Sequence, residues 1–155
     1  MFNVVLVEPE IPPNTGNVGR LCLATESTLH LVKPLGFSLD DRQLKRAGLD
    51  YWEEVEVIVW DSLAALMKTK CVTDRCFFVT TKTKRAYWDV KFQPGDYLVF
   101  GRETKGLPEK LLAQREPDCI TIPMEGTRSL NLATAVGIVL YEAIRQQHFE
   151  QNSVE

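Results

Sequence analysis

The sequence predicts an α/β fold built on a mainly parallel sheet with helices on both faces. Two observations carry this. Short β-branched runs alternate with helix-like patterns along all 155 residues. Several of those runs are also continuously apolar rather than alternating, as strands are when helices cover both faces of the sheet.

Six strands are expected, at residues 2–7, 29–33, 55–60, 76–80, 97–100 and 119–122. The first helix is expected over 14–24, because Pro12 and Pro13 are taken to forbid an earlier start and Asn14, Thr15 and Gly16 read as turn and cap residues. Residues 41–47 form the next, with Gly48 as its stop. Asp61 caps a third over 61–68, and Pro108 opens a fourth over 108–114. The last helix runs from about residue 130 to 149, with Ser129 as its cap. No repeat, low-complexity tract or linker divides the chain, so residues 1–155 are expected to form one domain.

Composition narrows the function. Apolar residues make up 45% and charged residues 25% of the chain, which fits a soluble globular protein. The longest apolar stretch, LNLATAVGIVLY, is broken by Asn131 and Thr134 and falls short of a membrane span, and the N-terminus lacks a signal-peptide pattern. A cytoplasmic protein is expected. A net charge of −3 gives no global basic field, so nucleic acid would need a local patch. One such cluster falls between Lys68 and Lys91 and includes Lys82, Lys84 and Arg85. A second comprises Arg42, Lys45 and Arg46. Cys22, Cys71, Cys76 and Cys119 form no C-x-x-C pair and only His30 and His148 accompany them, so neither a metal site nor a disulfide framework is expected.

Ligands of open parallel sheets collect beyond the carboxyl ends of the strands. Three loops there are unusual: VTTKTKRAYW from Val79, YLVFGRETKGLPE around Gly101 and Gly106, and TIPMEGTRSLNLA around Ile122 and Ser129. None is a G-x-G-x-x-G or P-loop fingerprint. In IPPNTGNVGRLC, Asn14 and Arg20 stand six residues apart near a helix start, where free N–H groups and the positive dipole end suit an anion.

PPNTGNVGRLC, GFSLDDRQLKRAGLDYW, LVFGRETKGLP and IPMEGTRSLNLATAVGIVLYE, in that order, resemble the motifs of the SPOUT superfamily of RNA methyltransferases. The small TrmL type, tRNA (cytidine/uridine-34)-2′-O-methyltransferases, is the most similar. The resemblance covers the chain from Phe2 to about Gln147. It implies a six-stranded domain with a C-terminal trefoil knot, and the knot is carried by the resemblance alone, since true knots are nearly absent among folds. It implies S-adenosylmethionine as cofactor, at Val79, Gly101, Ile122 and Ser129, with Glu103, Gly106, Met124 and Leu130 lining the same pocket. It places Asn14 and Arg20 at the reaction centre, with Ser129 and Asn131 as hydrogen-bonding partners. Orientation by Arg20 is preferred to proton abstraction, because a guanidinium does not release its proton near neutral pH.

The resemblance further implies an anticodon stem-loop of tRNA as partner, with Arg20 on the RNA side and no metal. Lys82, Lys84 and Arg85, clustered beside the proposed cofactor loop in an otherwise acidic chain, are expected to contact its phosphates, and Tyr141 is a further expected RNA contact. A homodimer is expected from the last helix. Ala133, Val136, Gly137, Leu140 and Ile144 make one apolar stripe, while Leu132, Ala135, Ile138, Val139 and Tyr141 leave the other faces apolar too. One departure concerns Thr25-Glu26, where the family has Thr-Gly, which removes the usual left-handed helix stop. Three alternatives stay open: another RNA position, a non-catalytic RNA-binding role, and an unrelated nucleotide-binding enzyme.

Overall fold

The computed structural model describes residues 1–152; residues 153–155 of the expected 1–155 domain lie outside the described residues. Six strands form one sheet: β1 (Asn3–Val7), β2 (Thr28–Val32), β3 (Val57–Trp60), β4 (Cys76–Val79), β5 (Tyr97–Phe100) and β6 (Cys119–Ile120). Their order is β3-β2-β1-β5-β4-β6, and every strand pair is parallel. Leu6 lies in register with Phe100, Phe100 with Val79, and Val79 with Ile120. The carboxyl ends of β1, β5, β4 and β6 therefore stand at one level, so the loops that follow them converge.

Apart from β3 at the sheet edge, whose Ile58 and Val59 are exposed, the apolar runs have two buried faces. Val4, Leu6, Leu29, Leu31, Leu98 and Phe100 pack on one side with Val18 and Cys22 of α1 (Pro12–Ala24) and Val136, Val139, Leu140 and Ala143 of α5 (Leu132–Asn152). Val5, Val7, Val32, Phe78 and Val99 face the other side, with Leu66 of α3 (Leu63–Thr69) and Leu111 and Leu112 of α4 (Glu109–Gln114). The short α2 (Arg42–Ala47) packs along α1, with its own buried Leu44.

Several helix ends differ from the sequence reading. α1 starts at Pro12, since prolines at the first two helical positions lose no hydrogen bond. Ser62, not Asp61, caps α3 by accepting from the Ala65 N–H at 3.1 Å; Asp61 instead lies 4.0 Å from Lys33. Gly48 ends α2 in a right-handed conformation (φ −74°), and the chain runs on into a 3₁₀ turn over Leu49–Glu54. The cap of α5 is Asn131 rather than Ser129: its Oδ1 accepts from the N–H groups of Ala133 at 2.9 Å and Thr134 at 3.3 Å.

Glu26 takes up the left-handed conformation, φ +52°, where a glycine was the expected residue. The Ser27 N–H reaches the Cys22 carbonyl at 2.8 Å and the Glu26 N–H that of Leu23 at 3.3 Å, so the C-terminal stop of α1 forms in full without glycine. Against expectation, Cys71 and Cys76 are joined as a disulfide, their Cα atoms 5.7 Å apart across the turn that leads into β4. That is the spacing such a bond requires. Cys22 and Cys119 are buried free thiols.

One buried polar chain crosses the first three strands of the sheet. His30, 1% exposed, accepts the Trp60 indole N–H on Nδ1 at 3.0 Å, which leaves its proton on Nε2, 2.9 Å from Asn3 Oδ1. Desolvation, with the Lys70 charge adding to it, pushes its pKa down to about 4.

Candidate active site

Beyond the carboxyl ends of β4, β5 and β6 lies a cavity of about 510 Å³, a size suited to a small-molecule ligand. Val79 forms one side. Gly101, Glu103 and Gly106 come from the loop after β5, and Ile122, Met124, Ser129 and Leu130 from the segment between β6 and α5. Asn14 and Asn131 reach the cavity as well, as does Lys82. The residues expected around one ligand are thus neighbours in space, brought there by three separate loops.

The β5 loop folds back on itself. The Gly106 N–H bonds the Arg102 carbonyl at 2.8 Å, and Gly106 adopts φ +67°. A Cβ on Gly101 would overlap the backbone of Gly106 and Leu107. Glycine is needed at Gly101 because two stretches of backbone touch there.

Glu103 does more than line the cavity. Its carboxylate accepts the Glu10 N–H at 2.9 Å and the Ile11 N–H at 3.1 Å. Glu10 reciprocates, accepting from both the hydroxyl and the N–H of Thr104, at 2.7 and 3.1 Å. The Thr104 hydroxyl, then its N–H, holds the Glu10 carboxyl below the usual carboxylate range. This clasp fastens the β5 loop to the entrance of α1. The sequence reading missed Glu10 and Thr104, although Glu10 sits just past the carboxyl end of β1, where site residues gather.

The first turn of α1 offers no free N–H group to an anion, contrary to the expectation. Pro12 and Pro13 have none, the Ile11 N–H is taken by Glu103, and those of Asn14 and Thr15 both point to the Ile11 carbonyl. Side chains carry the polarity instead. Asn131 Nδ2 donates to Asn14 Oδ1 at 2.9 Å. Because the Asn131 oxygen is used in capping α5, its amide orientation is fixed, and so is that of Asn14. The Asn14 amino group then has no protein acceptor among the described residues and is left for a ligand at the cavity edge.

Arg20 is not part of this cavity. Six residues along α1 amount to a rise of about 9 Å and a turn of about 120° from Asn14. Arg20 lines a separate shallow recess with Leu21, Leu23, Ala24 and Tyr51, and its guanidinium lies 3.5 Å from the Ala47 carbonyl. Of the expected RNA contacts, Lys82 is held by Glu109 at 2.7 Å and Arg85 donates to the Pro117 carbonyl at 2.9 Å. Lys84 is exposed, and Tyr141 is 50% exposed on α5. Around the cavity, Lys105 and Arg128 are exposed cations that form no salt bridge among the described residues. Among those residues no cluster of three or more His, Cys, Asp or Glu is placed to hold a metal ion, and no helix is long and apolar enough to cross a membrane.

The family model described as the SpoU rRNA Methylase family matches residues 1–141. The chain belongs to this family. Among individual members, a tRNA (cytidine(34)-2′-O)-methyltransferase of Methylovorus glucosotrophus is 49% identical over 96% of this chain and 97% of its own length. That of Burkholderia pseudomallei is 50% identical over 97% and 98%. A solved structure concerned with 2-OH methylation of C/U34 on tRNA superposes with a TM-score of 0.91 at 46% identity, covering 96% of this chain and 97% of that one. An rRNA methyltransferase from Sinorhizobium meliloti, solved with AdoMet bound, shares the fold at a TM-score of 0.83 and 24% identity, over 93% of this chain and 56% of that one.

Within the SpoU family fold, the three convergent loops are the tail of β4, the glycine-lined β5 loop and the β6-to-α5 segment, with the Asn14–Asn131 pair joining them to α1.

Proposed function

We propose that this chain is an S-adenosylmethionine-dependent tRNA methyltransferase that modifies the ribose 2′-hydroxyl of nucleotide 34, cytidine or a modified uridine. The observation that carries the reading is near-full-length identity of about one half to enzymes named for that reaction. The cavity fits the cofactor: a flat backbone wall at Gly101 that a Cβ would destroy, apolar sides from Ile122, Met124 and Leu130, and exposed cations at its rim for a carboxylate. When bound, the cofactor supplies an electrophilic methyl carbon.

The protein's part is placement. Ser129, Leu130 and the β5 loop hold the donor side. Asn14, its amide fixed by Asn131, presents a hydrogen-bond donor at the boundary with the RNA. Arg20, outside the cavity, binds a phosphate or ribose. Holding reactants in line supplies much of the acceleration of a displacement reaction.

Three further features belong to this proposal. The C-terminal segment is knotted: the chain leaves β6 at the sheet edge and returns across β4 and β5 to bring α5 against α1, which supports a threaded path. The enzyme is a homodimer joined through α1 and α5; the half-buried Leu21, Leu23, Ile138 and Ile144 and the exposed Tyr141 support this. Val139 does not belong to that surface, being fully buried within the subunit. The partner is the anticodon stem-loop, in the cytoplasm, and the chain acts as a single domain.

Ribose-methylation mapping of tRNA and rRNA from a deletion strain tests the reading, with rRNA included because of the family's description. Loss of methylation at tRNA position 34 alone is expected. Loss confined to rRNA would overturn the choice of substrate. Arg20→Ala should bind cofactor normally yet lose turnover on tRNA; near-normal turnover would remove Arg20 from the reaction.

A further inference from the structure

The basic segment KTKRAYWDVK, residues 82–91, carries one side chain that the proposed site does not use. Trp88 is 55% exposed, although the nearby Ala86, Val90 and Phe92 are buried. Its indole N–H has no acceptor among the described residues.

This exposure does not come from a loose loop. The Thr121 N–H donates to the Arg85 carbonyl at 2.8 Å, and the Tyr87 N–H to the Thr121 carbonyl at 2.9 Å. Farther on, Gln146 of α5 bonds both the Val90 carbonyl and the Phe92 N–H, each at 2.9 Å. Tyr87 packs against the core and meets the Trp88 ring edge-to-face, their centroids 5.2 Å apart. The indole is therefore presented to solvent from a segment pinned on both sides.

The segment that carries it is cationic. Lys84 and Lys91 are exposed and have no carboxylate partner among the described residues, and Asp89 is the one acid in the segment. Ala86 is bridged to Thr121, which lines the cavity. Two residues later, the Trp88 Cα is within about 11 Å of that of Thr121, from strand spacing and residue rise.

We propose that Trp88 is a stacking platform for an unpaired base of the RNA substrate, with Lys84 and Lys91 taking the flanking phosphates. The proposal rests on the reading above that the substrate is RNA. A flat aromatic face among unpaired cations matches a base joined to phosphodiesters. A protein partner would be offered a contiguous apolar patch, and the other exposed side chains of the segment from Lys84 to Lys91 are Lys84, Arg85, Asp89 and Lys91. An unpaired base is required because a paired one has its faces covered by stacking.

The test compares full-length protein with Trp88→Ala and Trp88→Phe, using binding of a tRNA anticodon stem-loop and steady-state methylation of the whole tRNA. Trp88→Ala should raise the Kd and the KM for tRNA roughly 5- to 150-fold, the range for losing one stacked base. Its thermal unfolding and kcat at saturating tRNA should stay unchanged, and Trp88→Phe should recover most of the loss. Unchanged Kd and KM in Trp88→Ala overturn the proposal while leaving the function standing. Conversion of Trp88→Ala to a monomer in sedimentation also overturns it, by assigning the indole to contact between copies. A wild-type protein that binds the stem-loop through Trp88 but methylates no tRNA would sink the functional reading alone.

Discussion

Asn131 does two separable jobs, and two substitutions tell them apart. Its oxygen caps α5 through the Ala133 and Thr134 N–H groups, while its amino group bonds Asn14 across the cavity edge. Replacement by Ala removes both. Losing the cap costs about 1 kcal/mol, and losing a side-chain hydrogen bond costs about another 1 kcal/mol. Asn131→Ser keeps a capping oxygen but cannot reach Asn14, so it should lose only the second amount. For a domain of this length 1 kcal/mol corresponds to roughly 2–4 °C in Tm. Asn131→Ala should thus melt about 4–8 °C low and Asn131→Ser about 2–4 °C low. Both should lose turnover on tRNA to a similar extent, because Asn14 is equally unanchored in each. Calorimetry and a methyl-transfer assay at a temperature where both variants are folded give the two readouts. Equal melting temperatures would refute the capping assignment, and normal turnover in Asn131→Ser would refute the role given to the asparagine pair.

Gly101→Ala should abolish cofactor binding, because its Cβ would drive the loop off Gly106 and Leu107; calorimetric titration with S-adenosylmethionine checks it. His30 has a folded-state pKa of about 4, below the ordinary value for an unfolded chain, so its contribution is complete above about pH 6.5 and is lost as pH falls toward 4. Urea denaturation across that window should show a slope about 1.4 kcal/mol per pH unit steeper in the wild type than in His30→Gln. Glu26→Gly should stabilise the protein by about 0.5–1 kcal/mol, by removing the left-handed strain of a residue with a Cβ.

Much of the sheet was legible because Val, Ile, Leu and Phe runs buried on both faces leave an unmistakable pattern, as in β1 and β5. Element ends were less so. Pro12 and Pro13 signal a helix start as readily as a loop, and the choice between Ser129 and Asn131 as a cap depends on where the chain turns. The cavity residues were placed through the resemblance, and the fold brings them together. The clasp of Glu10 with Thr104 was hidden because its partners stand 94 residues apart, and no local pattern reports such a meeting. Arg20 and Asn14 looked like neighbours in the sequence, but helical rotation separates them. Val139 looked like an interface residue until the packing of α5 buried it. The Cys71–Cys76 bond matches no spacing motif and depends on a tight turn that the sequence does not announce.

The sheet order has a consequence during synthesis. β1 is made first yet sits mid-sheet, and its register partner for Asn3 on one side, Tyr97, is made 94 residues later. At ribosomal speeds of about 5–20 residues per second, β1 waits roughly 5–20 s with an open, apolar strand edge. Only when β5 emerges can that edge close, and only after it can α5 cover Val4 and Leu6. A nascent chain of this protein is therefore most exposed to aggregation between the release of β2 and the arrival of β5. That interval is when a chaperone holding the N-terminal third would have its largest effect on yield.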